Sequence, residues 1–134
     1  MAFTLSIIFN KEKNHVLMLR DKRENRLNFI GGKIEELEQD MDASYRELTE
    51  KTELTKDDVQ LEFVRREHVS NALKDCWSLY VTAGVLKSDK VLRRVGEPLI
   101  WVPVNDFNTL LFDTYGRGNC LVFLNEAKLV CGIE

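Results

Sequence analysis

The chain has 134 residues, enough for one domain with a substantial core but not for two. Its formal net charge of -3 gives no strong positive field, which argues against nucleic acid or an acidic membrane as a partner. No apolar run approaches the ~20 residues of a membrane span, and the N-terminal residues lack the features of a signal peptide. We therefore expect a single cytoplasmic domain covering residues 1–134.

The cysteine and histidine content points the same way. Three cysteines without CxxC spacing are expected to be reduced thiols that pack as small apolar side chains, namely Cys76, Cys120 and Cys131. With only two histidines in the chain, a zinc site of His and Cys ligands is not expected.

The first half of the chain predicts two strands and a helix. The N-terminal stretch that contains TLSIIF alternates like a strand, HVLMLR is read as a second strand, and the turn-like NKEKN between them predicts a hairpin. LNFI is a short extended run that leads into Gly31 and Gly32, where we expect a turn. From about Asp40 to Thr52 the apolar residues recur at helical spacing, with Asp40 as the candidate N-cap.

The second half predicts three more strands and two more helices. VQLEFVRREHV, CWSLYVTAGVL and LIWVPV are rich in β-branched and aromatic residues and read as strands. NDFNTLLF and NCLVFLNEAKLV are expected to be short helices. This order of elements predicts an α/β (α+β) fold with a mixed sheet between helical layers.

The acidic helix offers candidate metal ligands. Glu47 and Glu50 lie one turn apart on one side, so that their carboxylates can converge on a single point. Converging carboxylates need a compensating cation, and oxygen ligands favour Mg²⁺ or Mn²⁺ over zinc. The alternative is an ordinary solvated acidic face. The glycines upstream favour the metal site, because they let backbone approach a ligand closely.

The spacing around this helix resembles the signature of the Nudix hydrolase family, the Nudix box G-x5-E-x7-R-E-U-x-E-E-x-G-U, where U is bulky and apolar. Seven of its nine specified positions match without a gap: Gly32, Glu38, Arg46, Glu47, Leu48, Glu50 and Leu54. The flanking LNFIGGKIE and LIWVPVNDF also fit, so that the resemblance covers most of the chain.

The resemblance implies a fold, an activity and a set of site residues. The fold is an α/β/α sandwich around a mixed sheet, and the activity is hydrolysis of a nucleoside diphosphate linked to another moiety, with Mg²⁺ or Mn²⁺. Carried over by position, Glu47 and Glu50 are metal ligands, and the Gly31 carbonyl is a further candidate. Arg46 pairs with Glu38 to brace the loop against the helix. Leu48 and Leu54 are implied to anchor the box in the core.

Two positions depart from the family's pattern. Lys51 stands where the family has a glutamate that is usually a central metal ligand, and Glu53 stands where it has glycine. An ammonium ~5 Å from a divalent ion meets a repulsion of about 6 to 7 kcal/mol at an effective dielectric near 20. Either Lys51 turns towards solvent or substrate phosphate, or the site holds fewer metals. Loss of the glycine is expected to lengthen or reshape the end of the helix.

Other residues are weaker candidates. Arg23, followed by Lys33, is the preferred basic residue near the glycines for holding substrate phosphates, although surface solubility explains either equally well. Glu97 lies in the late loop where some relatives place a catalytic base, but an ordinary loop charge is the better interpretation. Asn119 is expected to cap the last helix rather than read a base.

These observations leave three functional hypotheses, of which the first is preferred. The protein is a MutT-like pyrophosphohydrolase of nucleoside triphosphates or related nucleotides. The sequence is silent on its oligomeric state, although the resemblance allows a homodimer, since paired subunits are common among relatives. Alternatively, it is a weakened Nudix-fold module that binds nucleotide or a partner, with Lys51 clamping a phosphate. A purely structural protein is disfavoured by the retained Arg46, Glu47 and Glu50.

Overall fold

The computed structural model describes residues 1–21, 26–70, 76–88, 99–106 and 119–133. The elements in chain order are β1 (Ala2–Phe9), β2 (His15–Asp21), β3 (Arg26–Asn28), β4 (Ile30–Lys33), α1 (Asp40–Thr52), β5 (Glu62–Ser70), β6 (Cys76–Val85), β7 (Leu99–Pro103), a 3₁₀ helix (Val104–Asp106) and α2 (Asn119–Val130).

The seven strands of the described chain form one mixed sheet around β1. On one side β1 runs parallel to β6, from the pair Ala2–Ser78 to the pair Phe9–Val85. On the other side it pairs antiparallel with β4 and, at its end, with β2. β2 also pairs with β3 and β7, and β5 pairs with β6. The hairpin and the strand predictions are confirmed.

One helix packs on each face of the sheet, because the strand residues alternate between two apolar cores. Leu5, Ile7 and Phe9 of β1 belong to the core that α2 covers. Ile8, between the last two, belongs to the core that α1 covers with Leu48. The predicted α/β/α sandwich around a mixed sheet is therefore confirmed. Cys131 packs against the α2 core, where burial raises the pKa of its thiol to about 11.

The predicted turn at Gly31 and Gly32 is wrong, since both glycines lie within β4 and pair with Leu5 and Thr4 of β1. Neither has a positive φ. The sequence needs glycine here for space: a Cβ at Gly31 would overlap the Thr4 carbonyl, and one at Gly32 would overlap the Glu47 carboxylate. These glycines therefore let the β1 backbone and the Glu47 side chain lie close to β4.

The bounds of α1 are confirmed, but both of its ends differ from expectation. The N-cap is Gln39, which makes no side-chain capping bond, and Asp40 is the first helical residue. The Asp40 carboxylate instead pairs with Arg66. At the other end the helix is not lengthened. Glu53 adopts the left-handed conformation at φ 66°, and its N–H donates to the Thr49 carbonyl at 2.8 Å, so that the turn expected of glycine survives without it.

The last helix is confirmed as α2, whereas only the start of the predicted helix over NDFNTLLF lies within the described residues. There the chain forms the 3₁₀ turn Val104–Asp106. Within the described ranges, no helix is both long and apolar enough to cross a membrane.

Candidate functional site

Helix α1 is fixed to the sheet by buried polar contacts as well as by apolar packing. The hydroxyls of Thr4 on β1 and Ser44 on α1 lie 2.5 Å apart, and both residues are buried. Ser44 also donates to the Asp40 carbonyl at 3.0 Å. Because a buried hydroxyl without a partner is costly, this pairing favours one position of the helix on β1. It sets where the acidic side chains of α1 lie relative to β4.

The Glu47 carboxylate lies directly over Gly32 of β4. Glu47 is only 8% exposed, and the space that a Cβ at position 32 would need is filled by its carboxylate. The glycine at the start of the motif and the glutamate fifteen positions later are thus complementary in shape.

Arg46 joins the loop before α1 to the acidic side of the helix. Its Nε and Nη2 donate to the two carboxylate oxygens of Glu38 at 2.7 and 2.9 Å. Nη2 also donates to the Lys33 carbonyl at 2.9 Å. Nη1 donates to Glu47 at 2.9 Å and lies 3.4 Å from both carboxylate oxygens of Glu50. The flat, five-donor guanidinium suits this arrangement, which a lysine could not reproduce.

The Glu38 carboxylate is held ionised by this network. Its hydrogen bonds from Arg46, and then that from the Glu35 backbone N–H, lower its pKa from 4.5 to about 2. The same pairing with Glu38, followed by the contact with Glu47, raises the pKa of Arg46 above its ordinary value. The braced loop therefore keeps its charges at any physiological pH.

Glu47 and Glu50 converge as their spacing suggested, but the cation between them is Arg46. Both approach Nη1 of the same guanidinium. Their exposure differs greatly, since the side chain of Glu47 is 10% exposed and that of Glu50 is 58% exposed. The Glu47 carboxylate is thus nearly buried and bound by Arg46, whereas the Glu50 carboxylate is largely exposed to solvent.

Lys51 turns into the site. Its Nζ donates to the Gly31 carbonyl and lies 3.8 Å from Oε2 of Glu47. Its side chain is 27% exposed. Unit charges about 4 Å apart attract by about 4 kcal/mol at an effective dielectric near 20, before desolvation is counted. Of the two alternatives for Lys51, the structure contradicts a side chain turned towards solvent.

The described residues do not fit a resident divalent ion between Gly31 and Glu47. The oxygens that would bind the ion already face the ammonium of Lys51. Across the described ranges, no group of three or more His, Cys, Asp or Glu residues is arranged to hold a metal. Three carboxylates (Glu38, Glu47, Glu50) and two cations (Arg46, Lys51) leave one net negative charge, which is little for a divalent ion.

The remaining candidates are less closely tied to this site. Lys33 lies on β4 next to Gly32, with an exposed side chain and with its carbonyl bound to Arg46. Arg23 and Glu97 lie outside the described residues. Asn119 is the first residue of α2, and its predicted role as a cap stays a prediction. A cavity of about 520 Å³ borders the outer side of α1 and reaches Arg46 and Glu50; its other lining residues are Tyr45, Thr49, Thr55, Lys56 and Asp57.

Two features were missed from the sequence. Thr4 and Ser44 were not recognised as the polar pair that fixes α1 on β1, although a buried serine in a helix often marks close packing. The contact of Lys51 with the Gly31 carbonyl was also missed. The only sequence signal for it was the lysine at a position where the motif has an acid.

Comparison with known proteins identifies the family. The chain matches the family described as NUDIX domain over residues 2–119. A search of curated proteins finds no match. Among solved structures, a C. elegans Ap4A hydrolase binary complex has a TM-score of 0.77 at 14% identity, with 96% of each chain covered. The E. coli dihydroneopterin triphosphate pyrophosphohydrolase has a TM-score of 0.75 at 14% identity, covering 96% of this chain and 92% of the other. The NUDIX domain of Shewanella oneidensis NrtR, complexed with ADP ribose, has a TM-score of 0.71 at 15% identity, covering 97% and 87%.

The fold and the box define a Nudix protein, and the chain belongs to the NUDIX domain family. The recognition made from the sequence is thereby confirmed. Membership of this family supports an enzyme, a Nudix hydrolase, and Nudix hydrolases generally use divalent metal ions.

Proposed function

We propose that the protein hydrolyses a nucleoside diphosphate linked to another moiety, and that nucleoside triphosphates are its foremost substrates, as in MutT-type pyrophosphohydrolases. Mg²⁺ or Mn²⁺ enters bound to the substrate phosphates, since Mg²⁺ commonly keeps waters and phosphate oxygens as most of its ligands. The observation that carries the proposal is the position of Glu50, whose exposed carboxylate lies beside the ordered group of Arg46, Glu47 and Glu38.

In this proposal the side chains of the site have three separate roles. Glu50 meets the metal–phosphate complex, because its carboxylate is largely exposed. Arg46 and Glu38 hold the loop that borders the phosphates, while Lys51, Lys33 and Arg23 supply positive charge for phosphate oxygens. A water oxygen forms a bond to phosphorus while the bond from that phosphorus to the bridging oxygen breaks. The electron pair of the broken bond stays with the bridging oxygen on the leaving group, which is a nucleoside phosphate or pyrophosphate, and the attacking water gives up its proton to solvent.

A second candidate function is nucleotide binding with little turnover. It is favoured by Lys51, whose ammonium occupies oxygens that a metal ion would need. The NrtR NUDIX domain complexed with ADP ribose resembles this chain in fold, which makes a nucleotide-binding module a reasonable alternative. In both cases we place the protein in the cytoplasm as a single domain that forms a homodimer.

Chromatographic analysis of the hydrolysis products from a panel of nucleoside triphosphates, dinucleoside polyphosphates and ADP ribose, with Mg²⁺ and with Mn²⁺, distinguishes the two functions. For a hydrolase, Glu50→Gln should lower kcat/KM by about a hundredfold or more, as expected for loss of a group that acts in the reaction. Glu62→Gln, the same chemical change at an exposed position of β5, is the matched control and should keep full activity. Tight nucleotide binding without turnover would instead support the binding module.

A further inference from the structure

We infer that the ammonium of Lys51 is a built-in cation that takes the place of a divalent ion between the Gly31 carbonyl and the Glu47 carboxylate. The inference rests on the proposed function in one respect: it assumes that the substrate phosphates bind near the C-terminal end of α1, where Lys51 lies. It concerns how many metal ions the site can bind by itself, which the proposed hydrolysis leaves open.

The contacts of Lys51 are those of a cation in an oxygen site. Nζ donates to a backbone carbonyl of β4 and faces a carboxylate of α1 at 3.8 Å. A carbonyl and a carboxylate are also the ligands that hard divalent cations choose. An ammonium is a compact point charge that only donates, so that it can satisfy the same oxygens. A metal ion and Nζ cannot occupy this position together.

The two oxygens that face Lys51 are held in place by the fold. Glu47 is nearly buried over Gly32, and Gly31 is fixed by pairing with Leu5 of β1. Neither oxygen can therefore move far from Nζ. Without the lysine, the Glu47 carboxylate would keep Arg46 as its remaining cationic partner.

A single substitution should convert this position into a metal site. Lys51→Glu exchanges one positive charge for one negative charge, so that four carboxylates would face the single cation Arg46 in place of three facing two cations. The new carboxylate would start from the same backbone position as a side chain that already reaches the Gly31 carbonyl. Ligand number and charge are what set the affinity of oxygen sites for divalent ions.

The test is Mn²⁺ binding to the nucleotide-free protein, measured by calorimetry and by the electron spin resonance signal of free Mn²⁺. We expect Lys51→Glu to bind Mn²⁺ more tightly than wild type by at least about tenfold, with Lys51→Gln between them. Adding Glu47→Gln to Lys51→Glu should remove the gain. Bound Mn²⁺ should broaden the amide resonances of Gly31 and Gly32, which reports its location independently of affinity.

Lys11→Glu is the matched control, because it makes the same charge change at an exposed lysine in the turn between β1 and β2, whereas Gly31 pairs with Leu5 of β1. An equal gain in Lys11→Glu would overturn the inference by showing a general charge effect. Wild type binding Mn²⁺ as tightly as Lys51→Glu would also overturn it. Failure of the proposed function looks different: no variant with intact Glu50 would turn over a nucleotide, whatever the Mn²⁺ affinities.

Discussion

At the scale of single residues, Gly32 leaves room for the Glu47 carboxylate, whose contacts with Arg46 and Lys51 oppose a shift to make space for a Cβ. A methyl group at position 32 would overlap the carboxylate of Glu47. We expect Gly32→Ala to lower the free energy of unfolding by about 1 to 3 kcal/mol, the usual cost of overpacking. Urea denaturation measures this. The same substitution in a Glu47→Ala background should cost at least about 0.5 kcal/mol less, because the overlapping group is gone. Equal costs in the two backgrounds would contradict the contact.

The ion pair of Glu38 with Arg46 predicts a pH dependence of stability. The pKa of Glu38 is about 2 in the folded protein, below its ordinary 4.5. A lowered folded-state pKa means that the ionised carboxylate stabilises the fold above pH 4.5 and that this contribution is lost as the pH falls towards 2. We expect Glu38→Gln to melt below wild type at pH 7, with the difference shrinking over that acid range.

Thermal melts of wild type and Glu38→Gln across this pH range check the prediction. Glu36→Gln, an exposed acid in the same loop, serves as control and should differ little from wild type at any pH. A deficit of Glu38→Gln that stays constant down to the most acid buffer would show that the charge of the carboxylate is not responsible.

At the scale of elements, the residue that ends α1 has an unfavourable backbone conformation. Glu53 has a φ of 66°, a conformation that costs residues with a Cβ about 1 to 2 kcal/mol. Glycine removes that cost but adds about 0.4 to 1 kcal/mol of entropy in the unfolded chain. We therefore expect Glu53→Gly to raise the free energy of unfolding by about 0 to 1.6 kcal/mol, seen as a higher melting temperature. Glu53→Val, with a branched Cβ, should lower it, and the opposite order would refute the explanation.

The strands and α1 could be predicted because their signals are local. The periodicity that defines Asp40–Thr52 lies within the segment itself, and each strand carries its own run of apolar, β-branched or aromatic residues. The glycines of β4 were misassigned for the opposite reason. Two adjacent glycines are typical of a turn, and what makes them a strand is the pairing with β1 and the carboxylate of Glu47. Both partners are distant in sequence.

The site was predictable as a set of residues but not as a geometry. The motif brought Glu38, Arg46, Glu47 and Glu50 together by spacing alone, and the structure has all four in one network. It could not reveal that Lys51 reaches the Gly31 carbonyl, because a four-carbon side chain can extend in many directions. Its direction depends on the position of β4 beside the helix.

At the scale of the whole molecule, the two cores should unfold as one unit. Trp77 packs against the core under α2, and Trp101 packs against the core under α1. Leu48→Ala, at a fully buried position of α1, should cost about 2 to 5 kcal/mol. Because β1 contributes to both cores, we expect the urea midpoint to shift equally at either tryptophan.

The two tryptophans of the chain make this measurable by fluorescence. In a Trp77→Phe background the signal reports the α1 side, and in a Trp101→Phe background it reports the α2 side. Coincident transitions in both backgrounds indicate two-state unfolding. A shift confined to the Trp101 signal would mean that α1 and its core separate from the rest before global unfolding.

The parallel neighbour of β1 has a consequence for how the protein is made. β1 spans Ala2–Phe9, while its partner β6 spans Cys76–Val85. At translation rates of about 5 to 20 residues per second, roughly 4 to 15 seconds separate the synthesis of the two strands. During that interval the apolar side chains of Leu5, Ile7 and Ile8 have no completed sheet to enter. The nascent chain should therefore be a better client for ribosome-associated chaperones than the finished protein.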